Sequence, residues 1–139
     1  MYLIHLRCKQ AVFSHESALL MHDLTDREPF QYVITVKTGY NPSVLKKEGL
    51  CVHTIRKELH DIGCTTAQTP FGHAVPVYNM ERTICDIFRS RSQVEVQNFY
   101  GAIKAYLRRQ ERNIPLLLRY AKALRVERVM KPYLEVLLA

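Results

Sequence analysis

Histidine, cysteine and carboxylate side chains are the residues of this chain whose types could bind a metal. His15 and Glu16 begin like the two-histidine zinc pattern, but Leu19 stands where the second histidine would be needed. Cys51 and His53 would share one face of a strand, and their spacing supplies no third ligand. We therefore expect no metal and no cofactor.

Nucleophilic and phosphate-binding chemistry is also poorly supported. The four cysteines, at positions 8, 51, 64 and 85, show no paired spacing, which favours reduced thiols over disulfides. Cys85 falls within an apolar helical pattern, where a thiol is inert because it is buried and lacks a base. The five glycines stand apart and form no phosphate-binding loop.

One strand end resembles a nuclease motif. Thr35-Val36-Lys37 is similar to the acid-x-lysine end of restriction-type nuclease cores, but a threonine stands where a magnesium-binding carboxylate would be needed. We therefore predict no catalytic residues and a protein that is not an enzyme. A nuclease-like enzyme is the least favoured alternative.

The stretch VPVYNMERTICDIFRSR, residues 75–91, predicts a buried strand followed by a helix. Asn79 can cap this helix by accepting a hydrogen bond from a free backbone N–H of the first turn. Ile84, Ile87 and Phe88 recur at helical spacing and should form an inward stripe, with Cys85 at its edge.

Arg82 is the exception in this helix. A cation in the first turn opposes the helix dipole, whereas Glu81 suits the same position. We expect Arg82 to be held by a carboxylate, and Asp86 one turn later or Glu16 are the candidates.

The remaining patterns predict an α+β protein in which a small, mostly antiparallel or mixed β-sheet in the first 80 residues packs with C-terminal α-helices. Residues 1–139 should form a single domain, because this length suits one ordinary core. Tyr2 to Leu6 is an apolar patch too short to stand alone. Ser14 should cap a helix over residues 15–23, and strands should occupy residues 30–37, 50–55, 64–68 and 73–78, with a turn at residues 69–72.

The second half of the chain predicts three further helices. The first is capped by Ser92, the second by Asn113, and the third covers residues 126–138, where Pro132 should kink or divide it. Val96 should lie on the apolar face of the first. The predicted helical core consists of Phe99, Ile103, Leu107, Leu117, Tyr120 and Leu134.

The net charge of +7 is unevenly distributed. Residues 1–79 hold eight Lys or Arg and seven Asp or Glu, whereas residues 80–139 hold twelve and six. A basic helical surface can attract nucleic acid or an acidic protein surface, or it can be plain solvated exterior. The candidate partner-binding or nucleic-acid-binding residues are Arg108, Arg109, Arg112, Arg119, Lys122, Arg125 and Arg128.

Targeting signals are not recognisable in the sequence. No window approaches the ~20 apolar residues that cross a bilayer, and the start MYLIHLRCKQ lacks a basic segment followed by a sustained apolar run. We expect a cytoplasmic monomer without membrane association.

Two stretches, VFSHESALLMHDLTDREPFQYVITVKTGYN and VPVYNMERTICDIFRSR, together resemble a known family. The chain is similar to AbiEi-type antitoxins of abortive-infection type IV toxin–antitoxin systems, from about Ala11 to the C-terminus. The motif residues that carry the resemblance are Ser14, His15, Glu16, Glu81, Arg82, Thr83 and Asp86.

The resemblance implies a non-enzymatic regulatory protein that neutralises a cognate nucleotidyltransferase-type toxin, by contact or indirectly. Members of the family usually begin with a winged helix-turn-helix that binds the promoter of their own operon. We expect that DNA-binding domain to be missing before Tyr2, so promoter DNA is a partner, through transcriptional autoregulation, only where the winged helix is present. The alternative is a nucleic-acid-binding module that uses the basic C-terminal helices.

Overall fold

The computed structural model describes residues 1–138, which form eight α-helices and five β-strands. The strands are β1 (Val12–Phe13), β2 (Val33–Lys37), β3 (Cys51–Ile55), β4 (Cys64–Gln68) and β5 (Ala74–Tyr78). The helices are α1 (Tyr2–Arg7), α2 (His15–Met21), α3 (Ser43–Lys47), α4 (Lys57–His60), α5 (Met80–Arg89), α6 (Val96–Leu107), α7 (Ile114–Ala123) and α8 (Glu127–Leu138). A 3₁₀ turn covers Arg91–Gln93.

The five strands form one mixed sheet in the order β3-β2-β1-β5-β4. β1 pairs antiparallel with β2 and parallel with β5, β2 pairs parallel with β3, and β4 pairs antiparallel with β5. The β4–β5 connection turns where Gly72 donates its N–H to the carbonyl of Thr69, as predicted for residues 69–72. The predicted α+β class, with a small mixed sheet followed by helices, is confirmed.

The central strand β1 was not predicted, and β2 differs from its prediction. β1 has two residues, too few to show an alternating pattern. β2 begins at Val33 rather than at Phe30, which is fully exposed. Val33 to Val36 are all buried, so the expected alternation is wrong, because both faces of the sheet are covered at β2.

Several helix boundaries also correct the predictions. Tyr2–Arg7 forms a helix, and α2 ends at Met21 rather than near residue 23. Glu95 rather than Ser92 occupies the N-cap position of α6, without a capping bond from its side chain, because a 3₁₀ turn takes up the residues before it. α8 continues through Pro132, so this proline does not divide it.

The core has two parts, one beneath the sheet and one among the helices. Phe99, Ile103, Leu107, Leu117 and Leu134 are buried in the helical core as predicted, while Tyr120 is only partly buried. Val96 was expected on the apolar face of α6, but 67% of it is exposed because it occupies the first turn. Cys85 is fully buried rather than at the edge of its stripe.

Within residues 1–138, no helix is both long and apolar enough to cross a membrane.

Candidate functional site

α5 positions four of the seven motif residues, namely Glu81, Arg82, Thr83 and Asp86. Asn79 is extended and its side chain accepts a hydrogen bond from the backbone N–H of Arg82 at 2.9 Å, as predicted for an N-cap. Thr83 Oγ1 donates to the carbonyl of Asn79 at 2.8 Å. Every residue from Glu81 to Phe88 is buried, which makes α5 the central helix of the molecule.

Arg82 is fully buried and connects α5 to the segment between β3 and β4. Its Nε donates to Asp86 Oδ1 at 3.0 Å, which confirms the predicted carboxylate partner and excludes Glu16 from that role. Its Nη1 donates to the carbonyls of Leu59 and Ile62 at 2.7 Å each. Arg82 therefore fastens the segment between β3 and β4 onto α5.

The Arg82 side chain also lies over the ring of Tyr78 and next to Gly63. Its guanidinium carbon lies 4.0 Å from the centre of the Tyr78 ring, within the range of a cation–π contact. Gly63 has φ +75°, and a Cβ there would lie 2.6 Å from Arg82 Cβ. Only glycine fits at this position, because it tolerates the backbone conformation and leaves room for the arginine.

Asp86 is the buried counter-charge of Arg82. Burial raises the pKa of Asp86 to about 6, and the opposing effect of Arg82 limits the rise. Asp86 Oδ2 and Arg82 Nη2 are buried and have no hydrogen-bond partner among residues 1–138. The pair is a structural ion pair at the centre of the fold, where no substrate has access.

Glu81 forms a second buried polar contact, which the sequence did not indicate. Tyr106 Oη donates to Glu81 Oε2 at 2.6 Å, and the backbone N–H of Asn113 donates to Tyr106 Oη at 3.0 Å. Burial and the bond to Glu81 raise the pKa of the Tyr106 hydroxyl. The contact ties α5 to the connection between α6 and α7.

Ser14 and His15 form a third polar cluster, with a role other than the predicted one. Ser14 precedes α2, but its side chain does not cap the helix; instead Thr35 Oγ1 donates to Ser14 Oγ at 2.7 Å. Ser14 Oγ lies 2.8 Å from His15 Nδ1, and His15 Nε2 lies 3.2 Å from Ser90 Oγ. With a neutral imidazole protonated on Nε2, Ser14 Oγ can donate to His15 Nδ1, and His15 Nε2 can donate to Ser90 Oγ. These hydrogen bonds then connect β2 to the end of α5.

His15 is strained and kept neutral by its surroundings. Its φ is 51°, in the left-handed region that non-glycine residues rarely adopt. The His53 ring stacks on it with 3.9 Å between ring centroids. Burial, with the charges of His53, Arg82 and Arg89, lowers the pKa of His15 well below its usual value.

The serine–histidine contact does not form an active site. A nucleophilic serine must reach a substrate, whereas Ser14 is completely buried and its oxygen already accepts from Thr35. Thr35, which replaces the carboxylate of the nuclease motif, is also buried. Glu16 is half-buried, and burial raises its pKa.

Cys85 and the pair Cys51 and His53 were the thiol and metal-ligand positions considered from the sequence. Cys85 is buried, its Sγ lies 3.7 Å from the carbonyl of Leu117, and burial raises its pKa, which opposes thiolate formation. Cys51 Sγ lies 3.9 Å from His53 Nε2. Within residues 1–138, no three His, Cys, Asp or Glu side chains are grouped so that they could hold a metal ion.

The seven candidate basic residues lie in different environments. Arg109 Nη2 donates to the carbonyls of His22 and Asp23, at 2.6 and 3.0 Å, and Arg112 donates to the carbonyl of Leu107. These two candidate binding residues therefore help to hold the fold.

The other five basic side chains, Arg108, Arg119, Lys122, Arg125 and Arg128, are exposed. Arg119 and Lys122 share one face of α7 because they are three residues apart. Arg125 lies apart from that face, in the turn between α7 and α8.

Sequence reasoning missed the partners that are distant in the chain. Neither Tyr106, which falls at apolar helical spacing in α6, nor Ser90 was predicted to form a polar contact. The sequence carried no signal for these contacts, because the burial of Glu81 follows only from the fold and the partners are 25 and 75 positions apart.

Comparison of the chain with protein-family models gives no match, and comparison with curated proteins gives none either.

Proposed function

We propose that this chain is the antitoxin domain of an abortive-infection toxin–antitoxin system and counteracts a nucleotidyltransferase-type toxin without catalysing a reaction. One observation supports this proposal above the others. Six of the seven motif residues, all except Glu16, are buried and place their polar groups in the interior, as Arg82 does with Asp86 and Glu81 with Tyr106. Such residues define a scaffold, so the resemblance applies to the whole fold rather than to one exposed motif.

The proposed contact surface is the exposed basic part of the C-terminal helices. Arg108, Arg119 and Arg128 are exposed and form no side-chain hydrogen bond or ion pair within residues 1–138. Exposed charges contribute little to stability, so they can be selected for binding an acidic partner surface. We propose that the protein acts in the cytoplasm as a monomer.

The test is growth rescue in cells that express the cognate toxin. The variant Arg108→Glu/Arg119→Glu/Arg128→Glu should keep its melting temperature and lose rescue. The matched control, Lys9→Glu/Lys47→Glu/Lys57→Glu, makes the same change of charge at exposed positions outside the C-terminal helices and should rescue normally.

The outcomes of this experiment separate the two parts of the proposal. Failure of the unaltered chain to relieve toxicity, with the protein folded and present, would reject the antitoxin role. Normal rescue by the arginine variant would reject the basic helical surface and direct the search to the half-buried Glu16 and its neighbours.

Nucleic-acid binding is the second candidate, because residues 80–139 hold twice as many basic as acidic side chains. A DNA duplex should then bind with an affinity that falls steeply with salt, and the same arginine variant should reduce the salt dependence. Rescue without measurable DNA binding would favour the antitoxin role alone.

A further inference from the structure

A cleft lined by four arginines lies where α5 and α7 end and α8 begins. Arg56, Arg89, Arg91 and Arg125 line it, and its volume is about 390 Å³. Its other lining residues are apolar, namely Leu59, Ala123, Leu124, Val126 and Val129. Three of these four arginines were not among the candidates predicted from the sequence.

The cleft has an unbalanced positive charge. None of the four guanidinium groups forms an ion pair with a carboxylate in the described part of the chain. Asp86 lies close enough for Arg89 to lower its pKa, but it is buried and already paired with Arg82.

Helix ends neutralise only part of this charge. α5 and α7 both end at the cleft, and each helix C-terminus carries about −0.5 of an elementary charge. Arg91 partly caps the C-terminus of α5, because its Nη1 donates to the carbonyl of Phe88 at 3.0 Å. The N-terminus of α8, which begins at the cleft, adds about +0.5, so the three helix ends leave about +3.5 uncompensated, which is more than capping requires.

Arg125 supplies a second, independent observation. It has φ 60°, and Val126 donates its N–H to the carbonyl of Ala121 at 2.9 Å, which is the geometry of a helix end that usually places glycine at this position. An arginine there costs conformational energy that glycine would avoid. A binding role of the arginine side chain in the cleft would offset this cost.

We propose that this cleft binds a chain of two or three condensed phosphates, as in inorganic triphosphate or a nucleoside triphosphate. Planar guanidinium groups bind phosphate oxygens in pairs of hydrogen bonds. A single phosphate carries about −2 and would leave the cleft positive, whereas condensed phosphates place more charge in the same length. The cleft volume lies in the range of small-molecule sites.

A nucleic-acid strand fits this cleft less well. Single-strand sites combine a charged groove with aromatic side chains on which bases stack, and no aromatic residue lines this cleft. The arginines surround one cavity instead of following a track. This inference is independent of the proposed antitoxin role, since it requires no toxin.

Isothermal titration of the intact chain at fixed ionic strength tests the inference with sodium triphosphate, ATP and orthophosphate. Triphosphate should bind at least tenfold more tightly than orthophosphate. Equal binding of ATP and triphosphate identifies the phosphate chain alone as the ligand, whereas tighter ATP binding identifies a nucleoside triphosphate. No binding of triphosphate, or equal binding of orthophosphate, would overturn the proposal.

Two variants separate binding from folding. Arg125→Gly removes the side chain and relieves the strained backbone, so it should keep or raise the melting temperature and weaken triphosphate binding about tenfold. Adding Arg89→Gln should weaken it further. The control Arg108→Gln/Arg119→Gln loses two exposed charges outside the cleft and should bind triphosphate within about twofold of the unaltered chain.

The control also defines the contrary results. An equal loss of triphosphate binding in the control and cleft variants would mean that net charge alone attracts the ligand, and the cleft would not be a site. Binding of a short DNA duplex that is lost in the cleft variants, while triphosphate binding is unchanged, would assign the arginines to nucleic acid and reject the proposal.

Discussion

Replacement of Arg82 by alanine should be among the most damaging single changes in this protein. The substitution leaves Asp86 buried without its cation and removes the donor from the carbonyls of Leu59 and Ile62. Breaking a buried pair by removing one partner costs about 3–5 kcal/mol. We expect a loss of about 4 kcal/mol, since water entering the space left by the side chain can satisfy the two carbonyls.

The effect on the melting temperature follows from the chain length. For 139 residues, each kcal/mol shifts the melting temperature by roughly 3–4 °C, so a loss of about 4 kcal/mol in Arg82→Ala should lower it by about 12–16 °C. The exposed Arg119→Ala should change the free energy of unfolding by less than about 0.5 kcal/mol and serves as the control. Urea unfolding followed by circular dichroism measures both.

The pH dependence of this loss identifies its cause. Arg82 lowers the pKa of Asp86, so its removal raises that pKa above about 6 in the folded variant. At pH 5 the lone carboxyl is then neutral and its burial costs less, whereas at pH 8 ionisation of the buried group opposes folding. Arg82→Ala should therefore be more destabilising at pH 8 than at pH 5.

A double variant measures the cost of the unpaired Asp86 carboxylate. Arg82→Ala/Asp86→Asn removes the unpaired carboxylate and should recover about 1–2 kcal/mol at pH 8 relative to Arg82→Ala alone. The reasoning would be refuted by a melting temperature within about 2 °C of the unaltered chain, or by equal destabilisation at both pH values.

Two further predictions concern Gly63 and His15, which both have left-handed backbone conformations. Gly63→Ala should cost about 3 kcal/mol of unfolding free energy, because it adds a clash with Arg82 to a left-handed backbone. Gly39 also has a left-handed backbone but open space around it, so Gly39→Ala should cost only about 1–2 kcal/mol. Equal losses of the two variants in urea unfolding would contradict the clash. Because the folded-state pKa of His15 is lowered, its contribution to stability is present above pH 6.5 and is lost as the pH falls, so the protein should be less stable at pH 5 than at pH 7. His15→Asn, which tolerates the same backbone, should reduce that loss, and parallel pH profiles of the two proteins would refute the assignment.

Local interactions in this protein could be read from the sequence alone. Asn79 and Asn113 cap helices through neighbours three residues away, and Arg82 meets Asp86 one turn along the same helix. Such contacts depend on the helix geometry, which sets the distance between residues three or four apart. The class of the fold followed from the same short-range patterns.

Contacts between distant segments were decided only by the tertiary structure. The two-residue strand β1 exists because β2 and β5 pair on either side of it, and neither pairing is encoded in its own two residues. Tyr106 meets Glu81 across 25 positions, so its hydroxyl looked like part of an apolar face. The arginine cleft likewise combines residues from three separate parts of the chain, and charge counted along a sequence carries no information about which cations converge.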